Sequence, residues 1–299
     1  MQNNVRGFKS KEVMIRRIVL EENPVIVALS ETKLTKDDPD IKIPGYLSPR
    51  VDRDEEGGGV MMMYKESLDH IMVEVARYKL HQAEMLWHRL DNGKIQMKIG
   101  VVYMPQESRT SLAKLKEIYQ SMEKEIADTR LKGESILIMG DLNCKVGEMI
   151  NGNKAEVTKG GRLLIKMMKR FKLKLVNAEE CCKGVWTRIE GTQRSVLDYL
   201  IVFEEDIRLF DKMEIDEAKD ITPYYVEKNG DQVERTYTDH CMISATMNIK
   251  SIEQKSRTYA MVLDADGKMR YQEALKKEKV SSLITNEDIR VTYPKWRKE

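Results

Sequence analysis

Runs of apolar residues along the 299-residue chain alternate with amphipathic stretches, a pattern that predicts a sheet with helices packed on it. The run Ile136–Met139 is unbroken and predicts a strand that is buried on both faces. Further strands are predicted over Pro24–Ser30, Val60–Tyr64, Lys94–Val102, Ser195–Val202 and Cys241–Met247. The segment from Asn4 to Gly7 looks like the end of another strand whose first half is missing.

Apolar positions recur at helical spacing in three stretches, about Lys9–Glu22, Ser108–Thr129 and Lys159–Lys174. The last stretch holds seven basic residues and no acidic one. Its basic face is either an ordinary solvated helix surface or a contact for a phosphate backbone, and the pattern leaves both interpretations open. From residue 250 onward the chain becomes polar and charged, with a helix predicted over about 268–279. We therefore predict a core over residues 1–249 and a charged, partly helical linker or tail over 250–299.

Composition narrows the class of protein. Apolar residues make up 41% of the chain and charged residues 33%, which is typical of a globular protein. No apolar run approaches the roughly 20 residues that a membrane span needs, and the N-terminus lacks the apolar core of a signal peptide. These features predict a nuclear or cytoplasmic, non-secreted protein without a membrane partner. The net charge of +2 is too small to indicate nucleic-acid binding by itself.

Cysteine and histidine patterns give no sign of a zinc site. The four cysteines have no C-x-x-C spacing and are predicted to be free thiols: Cys144, Cys181, Cys182 and Cys241. Three histidines fall among predicted short strands without a carboxylate or second histidine at ligand spacing: His70, His81 and His88. Each is predicted to be solvated or at a sheet edge.

Polar residues capable of chemistry stand where the buried strands end. Asp141 and Asn143 follow the central strand, and Glu31 follows the strand that ends at Ser30. Taken singly, such residues are as well explained by an Asx turn, a salt bridge or a helix cap. Asp198 interrupts an otherwise apolar strand, and a buried aspartate there needs a partner such as a histidine N–H.

Together these residues favour metal-assisted hydrolysis of a phosphate ester. Carboxylate oxygens are the ligands Mg²⁺ prefers, and amide, phenol and imidazole groups can bind the remaining phosphate oxygens. The chain has no G-x-S-x-G element, which argues against a serine hydrolase. The candidate set comprises Asn4, Glu31, Tyr103, Asp141, Asn143, Asp198, Asp239 and His240.

Five motifs in order resemble the signatures of the endonuclease/exonuclease/phosphatase superfamily: NPVIVALSETKL, VVYMP, LIMGDLNCKVG, SVLDYLIV and TDHCMI. NVRGF, LSETKL and the T-D-H motif most resemble the endonuclease domain of non-LTR (LINE-type) retrotransposon polyproteins. The resemblance covers residues 3–248, nearly the whole predicted core. It implies an α+β fold, a four-layered sandwich of two packed mixed sheets flanked by helices, with the site at one rim.

The resemblance also implies ligands for a Mg²⁺ ion, with Mn²⁺ as a possible substitute and no organic cofactor. Glu31 would be the principal ligand, supported by Asn4. Asp239 would lie near the ion or just behind its ligands.

The remaining roles implied by the resemblance concern water and phosphate. Asp141 would orient or deprotonate the attacking water, while Asn143 and Tyr103 would hold the phosphate. His240 would contact the scissile phosphate, and Asp198 would orient and charge its ring.

The implied partner is DNA, cut to leave a 3′-hydroxyl. A parent polyprotein of this kind would also carry a reverse transcriptase domain. Trp186 or Thr187, together with Ser195, fall where the family contacts DNA, and the sequence does not choose between the first two. Arg162 on the basic helix is a further candidate for DNA contact.

Two departures from the pattern of repair-type abasic endonucleases favour the retroelement branch. Those enzymes usually carry an aspartate where this chain has Arg6 and a glutamine where it has Ser30. The short first strand suggests a fragment or a degenerate copy. The leading hypothesis is a Mg²⁺-dependent DNA endonuclease of retrotransposon origin. The alternatives are a phosphatase or phosphodiesterase of the same superfamily, and a catalytically silent, host-retained binding module.

Overall fold

The computed structural model describes residues 1–53, 58–150, 152–229 and 232–248. The predicted tail after residue 249, including its helix over 268–279, lies outside the described residues. The domain boundary at that point therefore stays a prediction.

Within the described residues, three α-helices are α1 (Glu12–Glu22), α2 (Leu112–Leu131) and α3 (Lys159–Phe171). The first strands are β1 (Gln2–Asn4), β2 (Ile26–Ser30), β3 (Tyr46–Leu47), β4 (Arg50–Val51), β5 (Val60–Lys65), β6 (Met72–Leu80), β7 (Ala83–Asp91), β8 (Gln96–Tyr103) and β9 (Ser135–Asp141). The later strands are β10 (Leu173–Leu175), β11 (Cys182–Lys183), β12 (Arg188–Glu190), β13 (Gln193–Ser195), β14 (Asp198–Phe203), β15 (Phe210–Ile215), β16 (Tyr224–Asn229), β17 (Gln232–Tyr237) and β18 (Ile243–Met247).

These strands form two large mixed sheets and two separate hairpins. The first sheet has the order β11-β15-β18-β1-β2-β5-β3, with β4 also paired to β5. In it β1 runs parallel to β2 and antiparallel to β18. The second sheet has the order β10-β14-β9-β8-β7-β6, in which only β8 and β9 are parallel. The hairpins are β12-β13 and β16-β17.

Alternation of side chains along the central strands creates the layers. In β9, Ile136 and Ile138 pack with α2 and α3, whereas Leu137 and Met139 face the first sheet. Val27 and Leu29 of β2 pack instead with α1. The layers are thus α1, first sheet, second sheet, and α2 with α3, which confirms the four-layered α+β sandwich and the doubly buried central strand.

Local chemistry sets the helix ends. The Thr158 hydroxyl accepts a hydrogen bond from Gly161 N at the start of α3. The helix ends at Phe171, because Lys172 takes a left-handed conformation (φ 50°) and β10 then pairs with β14. The predicted helix to Lys174 is therefore one turn too long. Among the helices of the described residues, none has the length and apolar character needed to cross a membrane.

Several sequence-based details differ from the structure. The predicted strand over Ser195–Val202 is two strands, because β13 ends at Ser195 and β14 begins at Asp198. Between Glu204 and Tyr237, outside the apolar runs that predict strands, the structure has β15 inside the first sheet and then the β16-β17 hairpin. His88 is buried on β7 against Tyr64, with ring centroids 5.7 Å apart, so the expectation of a solvated or edge histidine is wrong for it. The four cysteines are free, as predicted.

Candidate active site

Strand register brings the predicted site residues to one rim of the sandwich. In the second sheet Asp141 of β9 lies opposite Asp198 on one side and Tyr103 on the other. In the first sheet Asn4 pairs with Ser30, so that Glu31 follows at the same end. Asn4 then bridges the sheets, since its Nδ2 donates to Asp141 Oδ2 at 2.8 Å.

A buried aspartate–histidine pair lies at the centre of this rim. His240 Nδ1 is 2.7 Å from Asp198 Oδ2, and both residues are almost fully buried. The other ring nitrogen, Nε2, lies 3.9 Å from Asp141 Oδ2. The prediction that Asp198 needs a histidine partner is confirmed, although Asp198 opens its strand instead of interrupting it.

Three further residues hold Asp198, of which Thr187 was predicted only as a DNA contact and Gln2 and Asn177 were not predicted at all. Gln2 Nε2 donates to Asp198 Oδ1 at 2.9 Å, across 196 positions of sequence. The Thr187 hydroxyl accepts from Asp198 N at 3.1 Å, and Asn177 Nδ2 donates to Asp198 O at 3.1 Å. The available signal was the polar triplet Gln2–Asn4 in a strand that is wholly buried. Such a triplet requires partners for every amide.

Charge in this buried cluster is distributed over three groups. Burial lowers the pKa of His240, but the carboxylates of Asp198 and Asp141 outweigh that effect and raise the pKa to about 9. Burial and the neighbouring Asp198 raise the pKa of Asp141 to about 7. At neutral pH the imidazole is therefore a cation with a donor N–H, while Asp141 exchanges a proton readily.

Asp141 and Asn143 form a tight turn after β9. Asn143 N donates to Asp141 Oδ1 at 2.9 Å, which is the Asx turn considered from the sequence. Asn143 Nδ2 donates to Met104 O at 2.8 Å, which fixes the amide at the rim. The turn and the site are thus the same structure, and the two interpretations are compatible.

Glu31 lies beside Tyr103, at a half-buried position on the first-sheet side of the rim. The Tyr103 hydroxyl donates to Glu31 Oε1 at 3.0 Å. Burial, followed by the Glu31 charge, raises the pKa of Tyr103, so the phenol keeps its proton as a donor. This hydrogen bond occupies only one of the two carboxylate oxygens of Glu31.

Left-handed backbone conformations concentrate around the site. Four non-glycine residues there have positive φ: Arg6 (45°), Glu31 (49°), Lys33 (53°) and Asn143 (45°). Each such conformation costs roughly 1–3 kcal/mol and persists only where surrounding contacts enforce it. Here the contacts include Arg6 N donating to Asn4 Oδ1 at 3.0 Å and Gly7 N donating to Glu31 O at 2.7 Å.

Asp239 faces two arginines. Its Oδ1 lies 3.1 Å from Arg6 Nη1, and its Oδ2 accepts from Arg188 Nε at 2.7 Å. Burial acts to raise the pKa of Asp239, but His240 and the two arginines outweigh it and lower the pKa. Asp239 is thus an ionised carboxylate between guanidinium groups, close to the predicted ion site but already partnered.

The donor set at this rim fits a hard divalent cation. Asp141, Asp198 and His240 have ligand atoms within 4.8 Å of one another. A protonated His240 has no lone pair to give, however, and its Nδ1 is bonded to Asp198, so we interpret this trio as a hydrogen-bonded system. Glu31 and the Asn4 side-chain oxygen are the carboxylate and amide oxygens suited to Mg²⁺ or Mn²⁺.

The predicted DNA-contact residues occupy different environments. Thr187 is fully buried, and its hydroxyl accepts from both Leu197 N and Asp198 N. This corrects the expectation of a direct DNA contact, because the side chain lies behind the site and holds Asp198. Ser195 is also buried. Trp186 is half-buried and Arg162 is exposed on α3, and their contact with DNA stays a prediction.

The profile of the endonuclease/exonuclease/phosphatase family matches residues 3–240, and the chain belongs to that family. Family membership was predicted from the five ordered motifs and is confirmed. No curated protein matches the chain in a sequence comparison.

Solved structures share the fold at low sequence identity. An AP endonuclease from Leishmania major is 16% identical with a TM-score of 0.61, covering 82% of this chain and 86% of its own. The endonuclease domain of TRAS1, a telomere-specific non-LTR retrotransposon, is 14% identical with a TM-score of 0.55. The match covers 83% of this chain and 97% of the TRAS1 domain. A mannosyl-6-phosphatase from Bacteroides thetaiotaomicron is 13% identical with a TM-score of 0.55. The match covers 82% of this chain and 98% of the phosphatase. The fold therefore accommodates both nucleases and phosphatases.

Proposed function

We propose that this protein is a divalent-metal-dependent DNA endonuclease that hydrolyses a phosphodiester bond and leaves a 3′-hydroxyl. The observation that carries the proposal is the Asp198–His240 pair facing Asp141, with His240 Nε2 3.9 Å from Asp141 Oδ2. A cationic N–H and a carboxylate with a raised pKa, held that close in a buried site, suit water attack on a phosphate group.

Each side chain has a distinct role in this proposal. Asp141 accepts the proton of the attacking water, and Asn4 and the Asn143 backbone keep its oxygens in place. His240 donates its Nε2 proton to a phosphate oxygen and stabilises the developing negative charge. Asn143 binds a further oxygen of the phosphate with the second N–H of its side-chain amide, while the single O–H of Tyr103 is donated to Glu31.

A divalent cation bound by Glu31 and Asn4 would neutralise phosphate charge and so lower the cost of bringing water to the ester. Glu31 is oriented for this by the hydrogen bond from Tyr103. We propose Mg²⁺ as this ion, with Mn²⁺ as a substitute.

The retrotransposon-type motifs and the fold shared with the TRAS1 endonuclease domain support DNA as the substrate. A parent polyprotein with a reverse transcriptase domain and a nuclear or cytoplasmic location would follow from that origin. The intact constellation of site residues argues against a silent binding module.

The test is a plasmid-nicking assay with Mg²⁺, with chelator, and with the His240→Ala variant. We expect conversion of supercoiled to open-circular plasmid by wild type with Mg²⁺ only, and extension of the nicks by a DNA polymerase, which needs a 3′-hydroxyl. His240-dependent phosphate release from small esters without nicking would instead select the phosphatase alternative. A wild-type protein that neither nicks plasmid nor releases phosphate would support the alternative of a catalytically silent binding module.

A further inference from the structure

Asp239 is held as a structural partner of arginine side chains. Both of its oxygens face guanidinium groups, Oδ1 towards Arg6 at 3.1 Å and Oδ2 towards Arg188 at 2.7 Å. Its side chain is only 8% exposed. Oδ1 makes no hydrogen bond, but a cation bound to it would lie beside the Arg6 guanidinium, and repulsion between the two positive charges disfavours that arrangement.

The two arginines are not equivalent. Arg188 donates Nε to Asp239 and Nη2 to Glu190, so it is shared between two carboxylates. The Arg6 side chain is 49% exposed and forms an ion pair with Asp239. A guanidinium has five N–H donors in a planar fork, so Arg6 keeps free donors directed to solvent at the rim.

The backbone around Arg6 is built to fix its position. Arg6 has φ 45°, and its N–H donates to Asn4 Oδ1 at 3.0 Å, so that the residue is tied to an amide that also bonds Asp141. Thr238 Oγ1 donates to Asn4 O at 2.7 Å, which joins the segment before Asp239 to the same strand end. Arg6 and the residue before Asp239 are thus both hydrogen-bonded to Asn4, which fixes the positions of Arg6 and Asp239 relative to each other.

The electrostatic surroundings of Arg6 favour an anion. Lys11 lies close enough to Arg6 and Lys33 to interact with both, and the nearby anionic groups are Asp239 and Glu31. Asp239 is already shared with Arg188, and Glu31 is the carboxylate best suited to a metal ion. Arg6, Lys11 and Lys33 thus place three positive charges beside the two carboxylates, and this excess suits a phosphate group.

We propose that Arg6 binds a phosphate of the DNA strand next to the scissile one, and that Asp239 is its positioning residue. The inference rests on the proposed function, because it assigns the substrate contact of the same site. Asp239 in this chain then holds a guanidinium instead of a metal ion, and Arg188 supplies the second charge that keeps Asp239 ionised.

The experiment measures binding of a short labelled DNA duplex by fluorescence anisotropy in EDTA over a range of salt concentrations. Loss of one phosphate contact reduces the slope of log K against log salt by about 0.9. We expect that reduction for Arg6→Gln, with affinity lowered several-fold at low salt, and a smaller change for Arg6→Lys. The matched control is Arg17→Gln, which removes the same charge from an exposed arginine paired with Glu21 on α1.

Asp239→Asn tests the positioning role. We expect it to reproduce the lower salt slope of Arg6→Gln while leaving Mn²⁺ affinity, followed by electron paramagnetic resonance of the free ion, within twofold of wild type. Glu31→Gln should show the opposite pattern, with weaker Mn²⁺ binding and an unchanged salt slope. Circular dichroism checks folding, and if Asp239→Asn does not fold, the Arg6 pair of variants still decides the phosphate contact.

The inference is overturned if Arg6→Gln matches Arg17→Gln, if wild type shows no salt-dependent DNA binding, or if Asp239→Asn weakens Mn²⁺ binding and retains the wild-type slope. Failure of the proposed function is a separate outcome. In that case wild type binds DNA through Arg6 with the expected slope, yet does not nick plasmid with Mg²⁺.

Discussion

The two sides of the candidate site are constructed differently. On the second-sheet side, Asp141 and Asp198 are buried and fixed by strand register, and His240, which precedes β18 of the first sheet, is joined to Asp198 by a short hydrogen bond. On the first-sheet side, Arg6 and Glu31 sit on left-handed turns beyond the strand ends and are partly exposed. The first arrangement suits proton transfer, which needs fixed geometry, and the second suits an ion and a phosphate that must enter and leave.

Removing the imidazole from the second-sheet side should have the largest effect. His240→Ala should lower the rate of Mg²⁺-dependent nicking by roughly 10³–10⁴-fold, because the cationic donor to the phosphate is lost. The rate is measured on supercoiled plasmid with saturating Mg²⁺, and circular dichroism should show an unchanged fold. A loss of less than tenfold would contradict the role of His240 as the donor to the phosphate.

On the first-sheet side, Glu31→Gln should lower the nicking rate by about 10²-fold, the size expected when one charge-stabilising group is removed. Unlike the loss from His240→Ala, this loss should be partly restored by higher Mg²⁺, because a weakened ligand set still fills at high concentration. The measurement is a Mg²⁺ titration of the nicking rate for both variants. Identical Mg²⁺ dependence in the two variants would show that Glu31 does not hold the ion.

Protonation of His240 should make the stability of the metal-free protein depend on pH. The folded-state pKa of His240, about 9, lies above its ordinary value of 6.5, so the folded state binds the proton more tightly. The contribution of the protonated His240 to the free energy of unfolding is fully present below pH 6.5 and is lost as pH rises through 9. The free energy of unfolding should fall over that window by on the order of 1–3 kcal/mol.

Urea titrations in EDTA at several pH values measure this change. Asp198→Asn should flatten the decline between pH 6.5 and 9, because the Asp198 carboxylate is the main group that raises the pKa of His240. Glu31→Gln is the comparison from the other side of the site and should leave the decline in place. A wild-type protein with constant stability across the window would contradict a charged His240.

Gln2→Leu should have the smallest effect. It removes the donor to Asp198 Oδ1 while preserving bulk, and the loss of one hydrogen bond of about 1 kcal/mol corresponds to roughly fivefold in rate. The ¹⁵N-NMR titration of His240 should show a raised pKa, because Asp198 loses a competing partner. Gln2→Glu places a second carboxylate beside Asp198 and should be more harmful than Gln2→Leu.

Part of this site could be predicted from local sequence. Asp141 and Asn143 directly follow an unbroken apolar strand, and Glu31 ends a second one, so their location at a sheet rim needed no tertiary information. The need of Asp198 for a histidine was also predictable, because a buried carboxylate requires a donor. Gln2 was missed, since the polar triplet Gln2–Asn4 demands partners only once its strand is buried, and the sheet decides that burial.

The order of the motifs, the buried strands and the kinds of donor at the strand ends can all be read from the amino-acid sequence. Only the tertiary structure decided the partners, such as Asn4 with Asp141 across 137 positions and Arg6 with Asp239. The physical reason is that hydrophobic periodicity specifies which face of a strand is buried, whereas neighbouring strands and their register follow from packing of the whole sandwich. Contacts of 2.7–3.1 Å at the rim depend on that register.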